Sequence, residues 1–266
     1  MSSLKQQLPF LRLRTSLVLH LREIRAYSAG LKNAGESERK KKVLIYGQGR
    51  SGTTLFEHLM CSTGHFVGYH EVLNTVTREV VWPIHYIRGL GRQFDDENII
   101  LHVKPNHLGQ DRKRPVNVRL FLKAMCEDGW FIVHIQRKNI IMKMISNYLA
   151  VARGGYHKTD DKEEKHVLRI PPQEFFDRYD NHRLLLDEEN TLLQGLPHIK
   201  ISYERDLERT ECHQQTIDKV LEELGLEKRT VSTKLKKINN TSPEKLVENL
   251  DELHKGFLAR GWEWTL

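Results

Sequence analysis

Residues 43–60 read VLIYGQGRSGTTLFEHLM. Four apolar positions run into a turn holding Gly47, Gly49, Arg50, Ser51, Gly52, Thr53 and Thr54, after which Leu55, Phe56, Leu59 and Met60 recur at helical spacing. A strand, a tight turn and a helix thus follow one another. The first N–H groups of such a helix lack partners and its dipole is positive toward the turn, so the chemistry the segment suits is anion binding. Two phosphate motifs overlap on it. Gly47, Gly49 and Gly52 fit G-x-G-x-x-G, and Glu71 falls about 20 residues on, where a dinucleotide fold carries its ribose carboxylate. Gly47 and Gly52 also fit the first half of a Walker loop, but Thr53 stands where the lysine that reaches the outer phosphates is required. Arg50 in the turn and the Thr53–Thr54 pair at the helix start suit a tightly gripped terminal anion.

Other residues with chemical potential are weaker as motifs. H-E-V-L-N at 70–74 departs from the zinc motif H-E-x-x-H because Asn74 replaces the second histidine, so no metal is expected. In I-L-H-V-K-P-N-H, residues 100–107, His102 and His107 are expected to satisfy structural hydrogen bonds, and Lys104 taken alone reads as a surface lysine. Arg112, Lys113 and Arg114 lack interleaved aromatics and precede Pro115, which predicts a solvated loop and no nucleic-acid partner.

G-R-S-G-T-T-L at 49–55 resembles the 5′-phosphosulfate loop of the sulfotransferases that use 3′-phosphoadenosine 5′-phosphosulfate (PAPS). I-Q-R-K-N-I-I-M-K-M-I-S at 135–146 is similar to the family's 3′-phosphate element, a basic residue at a strand end with a serine on the next helix. Lys138 stands eight residues before Ser146, as the family's basic residue does, and Arg137 nine, so both are retained. I-S-Y-E-R-D-L at 201–207 is similar to the family's Y-E-x-L segment, and E-L-G-L at 223–226 to its F-L-G-L. Lys237, Asn239, Asn249 and Glu252 before Trp262 and Leu266 resemble the tail of the bacterial carbohydrate or lipid (trehalose-type) group. The resemblance covers residues 41–266, with 1–40 outside it as a basic extension.

The resemblance implies metal-free transfer of a sulfonate to a hydroxyl of a carbohydrate or glycolipid-like acceptor. Arg50, Ser51, Gly52, Thr53 and Thr54 would hold the 5′-phosphosulfate, and Arg137 or Lys138 with Ser146 the 3′-phosphate. Glu71, in G-Y-H-E-V-L at 68–73, matches the position of a catalytic glutamate, with His70 as the alternative base; Lys104 would touch the sulfonate or the acceptor. Residues 73–92 and 153–166 would be acceptor loops, the latter a lid hinged at Gly154 and Gly155, with Tyr69, Trp82, Tyr86 and Tyr156 as candidate stacking surfaces. Two other readings stand beside this one: a P-loop kinase or NTPase, and a non-catalytic nucleotide-binding protein of the same fold.

These residues need elements to position them. Apolar runs predict strands at 43–46, 65–69, 99–103, 130–135 and 198–203. Helical patterns follow Leu55, follow Asn139 as an N-cap (Ile140, Ile141, Met144, Ile145, Tyr148, Leu149), and cover 173–194 and 215–224. A last helix is expected from Ser242–Pro243 through Leu246, Leu250, Leu253, Phe257 and Leu258. Alternation of strand and helix predicts an α/β fold with a P-loop-like parallel sheet covered by helices on both faces. The chain of 266 residues, 39% hydrophobic and 29% charged, is long enough for one substantial core. Its +7 charge favours anionic partners, peripheral contact with a membrane surface included. No run approaches the ~18–20 apolar residues of a membrane span. Cys61, Cys126 and Cys212 form no C-x-x-C pair and read as free thiols of a reducing, cytoplasmic setting. Residues 1–22, with Lys5, Arg12, Arg14, Arg22 and no acid, read either as an organelle-targeting peptide or as an accessory basic helix packed on the body.

Overall fold

The structure, a computed structural model, describes residues 18, 20–31, 40–76, 79–93, 97–152, 167–235 and 242–266. Strands β1 (Lys42–Tyr46), β2 (Phe66–Gly68), β3 (Asn98–Val103), β4 (Trp130–Gln136) and β5 (His198–Ser202) form one all-parallel sheet. Their spatial order is β2, β3, β1, β4, β5. The order reverses about β1, which pairs with β3 on one side and β4 on the other. Loops leaving the carboxyl ends of these three strands therefore open onto one crevice, the switch point where α/β sheets bind ligands.

Apolar side chains on both sides of β1, β3 and β4 require cover on both faces. Leu44, Tyr46, Leu101, Val103 and Ile132 pack beneath a helix over 20–31 (α1), α3 (Pro83–Gln93) and α5 (Val118–Glu127). Val43, Ile45, Ile100, Val133 and Ile135 pack against α2 (Thr53–Ser62) and α8 (His213–Glu223). A third cluster, built around Phe175, Phe176 and Phe257, joins α6 (Ile140–Ala152), α7 (Pro172–Leu193) and α9 (Leu250–Ala259), and includes the Ile140 and Met144 stripe. The short α4 (Pro105–Leu108) follows β3. Asn139 caps α6 by accepting from the Met142 N–H at 2.9 Å. All three cysteines are free thiols. No helix among the described residues is long and apolar enough to cross a membrane.

Three expectations change. Much of the segment expected as an acceptor loop, 73–92, is α3, whose Tyr86, Ile87 and Leu90 are buried. The last helix does not run from Ser242: a short turn at Pro243–Lys245 gives way to a bridge between Val247 and Leu168, and α9 starts only at Leu250. Asn249 imposes this break, accepting from Ile170 N–H at 2.9 Å and donating to Ile170 C=O at 2.8 Å. Arg112 is buried, not solvated; it donates to the Val80 and His107 carbonyls and faces Glu79 at 3.7 Å, while Lys113 and Arg114 are exposed. Residues 153–166, with Gly154, Gly155 and Tyr156, and Lys237 and Asn239, lie outside the described residues.

Helix α1 packs on the body through fully buried Ala26, and Tyr27 stacks edge-on against Trp82 at 5.3 Å. The contact depends on Gly89, where a Cβ would overlap the Ala26 backbone carbonyl. Gly89→Ala is expected to lift α1 and speed tryptic cleavage at exposed Arg25; a digestion rate equal to wild type would count against this packing.

Candidate functional site

The turn after β1 is held in an uncommon backbone conformation. Arg50 has φ 64° and Gly52 φ 90°, and a Cβ on Gly52 would come within 2.8 Å of the Tyr203 ring. The Phe56 N–H closes the first helical bond to the Gly52 carbonyl at 2.9 Å, leaving the N–H groups of residues 53–55 at the open end of α2. Ser51 and Thr53 are buried in the turn, and Thr54 lines the cleft above it. Arg50 reaches α6, donating from Nη2 and Nε to Ser146 Oγ at 3.0 and 3.2 Å. Loop arginine and helix serine thus form one unit. Arg137, at the end of β4, is buried behind the turn with its Nη1 3.4 Å from the Arg50 carbonyl and its guanidinium 4.4 Å over the Tyr203 ring. Burial pushes its pKa down, toward release of the charge, which an adjacent anion would oppose. Lys138 is exposed.

The wall on the β3 side carries the candidate bases. Glu57, one turn into α2 and fully buried, accepts from the His70 N–H at 2.7 Å and meets His70 Nδ1 at 2.9 Å and His102 Nε2 at 3.0 Å. Burial alone would raise its pKa, but His102 and His70 outweigh it and the carboxylate stays ionised. His70, itself at φ 55°, leaves its side chain 64% exposed toward the cleft. Glu71 is differently engaged: Lys104 Nζ lies 2.5 Å from its Oε1, Asn74 Nδ2 donates to it at 3.0 Å, and His107 stands 3.6 Å away. Burial opposes its charge, yet Lys104 more than offsets this and holds the carboxyl below its ordinary value. Burial beside Lys104 lowers His107 to about 4, so that ring is neutral. His102 and His107, expected as structural, both line the cleft.

The opposite wall holds groups that the sequence pattern hid within helices. Lys143, on the same helix as Ser146 and 2% exposed, donates to Gln48 in the turn and lies 3.3 Å from His182 Nδ1. His134 and Glu189, both buried, meet at 3.1 Å. Burial lowers Lys143 to about 8 and His182 to about 4. The three walls enclose a cleft of about 1520 Å³ reaching from Tyr69 and Glu71 across Arg50 to Asn181 and Glu188. Tyr69 and Tyr86 line it, whereas Trp82 is 61% exposed against Tyr27. Of the sequence candidates, Arg50, Thr53, Thr54, His70, Glu71 and Lys104 meet at this cleft, with Ser146 bonded to Arg50 and Arg137 behind the turn. Glu57, Gln48, Lys143, His182 and Glu189 were missed; a lone acid within an apolar helical repeat at 55–60 was the one available signal for Glu57.

No protein-family model matches this chain, and no curated protein matches it.

The low pKa of Lys143 has a stability consequence. The unfolded chain binds this proton up to about pH 10.5 and the folded chain only to about 8, so the cost of the buried charge is complete below pH 8 and fades as pH rises to 10.5. Lys143→Met is therefore expected to raise unfolding free energy at pH 7 by up to about 3 kcal/mol and by little at pH 10.5, read by urea titration at both. A gain equal at the two values would overturn the assignment.

Proposed function

We propose that the cleft moves a sulfonate group from PAPS to a hydroxyl of a carbohydrate or glycolipid-like acceptor. The observation that carries this reading is the joining of Arg50 to Ser146 beside buried Arg137. A lysine-bearing NTPase loop grips one polyphosphate chain, whereas here an arginine in the turn is tied to the helix after β4. Arg137 Nε is buried and has no hydrogen-bond partner among the described residues, so a second phosphate beside the turn fits an N–H left open for it. Lys138, exposed, is the weaker candidate for that contact.

The donor supplies the group that moves, its S–O bond to phosphate breaking as the acceptor oxygen bonds sulfur. Arg50, the hydroxyls of Thr53 and Thr54, and the backbone N–H groups of residues 51–54 neutralise charge on the phosphate side. Lys104, aligned by Glu71, adds positive charge at the mouth of the cleft. His70 takes the acceptor proton on Nε2, because Glu57 fixes Nδ1 as the donor nitrogen and turns the other nitrogen outward. Glu71 is the alternative base, weakened in that role by its pairing with Lys104.

Calorimetry tests the donor site. 3′-Phosphoadenosine 5′-phosphate is expected to bind without magnesium and more tightly than ADP, with Arg137→Ala and Ser146→Ala each weakening it about tenfold or more. Equal affinity for ADP, or a need for magnesium, would favour the kinase or NTPase reading. Tight binding with no transfer to any hydroxyl acceptor would favour the non-catalytic one. Once an acceptor is in hand, His70→Asn should lower kcat by about 10²–10⁴ and Glu71→Gln by less; the reverse order assigns the base to Glu71.

A further inference from the structure

Glu57, His70 and His102 come from α2, the end of β2 and β3, and their ligand atoms all lie within 4.8 Å of one another. Glu57 Oε2 is the common point, 2.9 Å from His70 Nδ1 and 3.0 Å from His102 Nε2. His102 is 1% exposed, and neither of its ring nitrogens makes an aligned hydrogen bond; Nε2 approaches the carboxylate without pointing an N–H along it. A buried imidazole in that state is incompletely satisfied by the carboxylate alone. The backbone fixes the arrangement: the ladder continues past β2, with His102 N–H donating to the His70 carbonyl at 3.0 Å, which holds the two rings side by side.

We propose that these three residues bind a divalent transition-metal ion of the zinc class, and that the bound ion, seated on Nδ1, leaves the ring proton on Nε2 so that His70 no longer accepts one from the cleft. Two imidazoles and one carboxylate form a donor set that zinc accepts with a fourth position open. Bonds of ~2.0–2.1 Å set tetrahedral donors roughly 3.3 Å apart, so the Glu57–His70 and Glu57–His102 pairs open by only about 0.3–0.4 Å to admit the ion, and the two ring nitrogens already lie within 4.8 Å of each other. Glu57 brings the carboxylate oxygen, Oε2, that both rings already face. The open position falls on the cleft side, since His70 and His102 both line the cleft and His58, whose ring centre lies 6.2 Å from that of His70, borders it too. Asn74, where H-E-x-x-H would have its second histidine, is dispensable because β3 supplies His102. Metal binding itself is independent of sulfonate transfer; only inhibition, through the proton that metal on Nδ1 confines to Nε2, rests on the function proposed above.

The test is zinc binding to the full chain, by competition with a chromophoric chelator, with magnesium as the control ion. One zinc equivalent is expected to be tightest, with magnesium not competing, and His70→Asn and His102→Asn should each weaken that equivalent at least tenfold. His70 is exposed, so His70→Asn reports on the site even where replacing buried His102 disturbs folding. Co²⁺ in place of zinc should give visible bands of a four- or five-coordinate site with no thiolate charge-transfer band, which separates this site from Cys61 one turn along α2. Unchanged zinc affinity in His70→Asn, or a thiolate band with Co²⁺, would overturn the proposal. Neither result would bear on nucleotide preference, so the metal site and the sulfotransferase reading fail separately.

Discussion

Glu57 carries a negative charge in the core, and such a charge is tolerated only where hydrogen bonds and opposite charges meet it. Here the hydrogen bonds come from the His70 backbone and ring, with His102 Nε2 standing 3.0 Å away, and none of these groups is on α2. Helix α2 is thereby tied to the ends of β2 and β3 by an interaction that is costly to break. The amino end of the same helix adjoins the glycine-rich turn proposed to hold the donor. A rotation of α2 that would misdirect its free N–H groups would also strip the buried carboxylate of its partners, so the turn and the base wall are positioned together.

The positive charge around the turn is assembled from separate strands and helices. Arg50 follows β1, Lys104 follows β3, Arg137 ends β4 and Lys143 belongs to α6. A parallel sheet brings these together because all its strands end on the same side, and the reversal of strand order about β1 leaves a gap between the flanking connections. Among the described residues, the two non-glycine residues with positive φ, Arg50 and His70, sit on either side of that gap. Left-handed backbone at such residues costs roughly 1–2 kcal/mol each. At His70 the Glu57 contacts offset that cost, and at Arg50 the bonds to Ser146 do.

In the proposed scheme proton and metal compete for one place in this wall. With a proton on Nδ1, His70 would be a base whose free nitrogen faces the cleft; with a metal ion on Nδ1, the same ring would be a ligand with its proton on Nε2. The proposed catalytic and metal-binding roles are therefore mutually exclusive uses of a single carboxylate, and which one prevails depends on metal availability.

Local signals in the chain were enough to place the strands, the glycine-rich turn and the helices beside it: apolar runs, glycines where the turn tightens, and Asn139 as a cap. Arg50 was legible for the same reason, as a charge inside the turn, whereas His70, Glu71 and Lys104 were singled out by the resemblance of their segments to the sulfotransferase pattern. Tertiary structure alone decided their partners. Glu57 looked like one polar position in an amphipathic helix, and only pairing of β2 with β3 brings His70 and His102 to it. Lys143 and Glu189 carried no local signal, since a charge within a helix is ordinarily solvated and only the packing of α6 and α7 buries these two. Asn249 likewise ends one segment and begins another through bonds to Ile170, far away in the chain. Periodicity fixes which face a residue occupies; what that face meets is set by contacts distant in sequence, which no local pattern encodes.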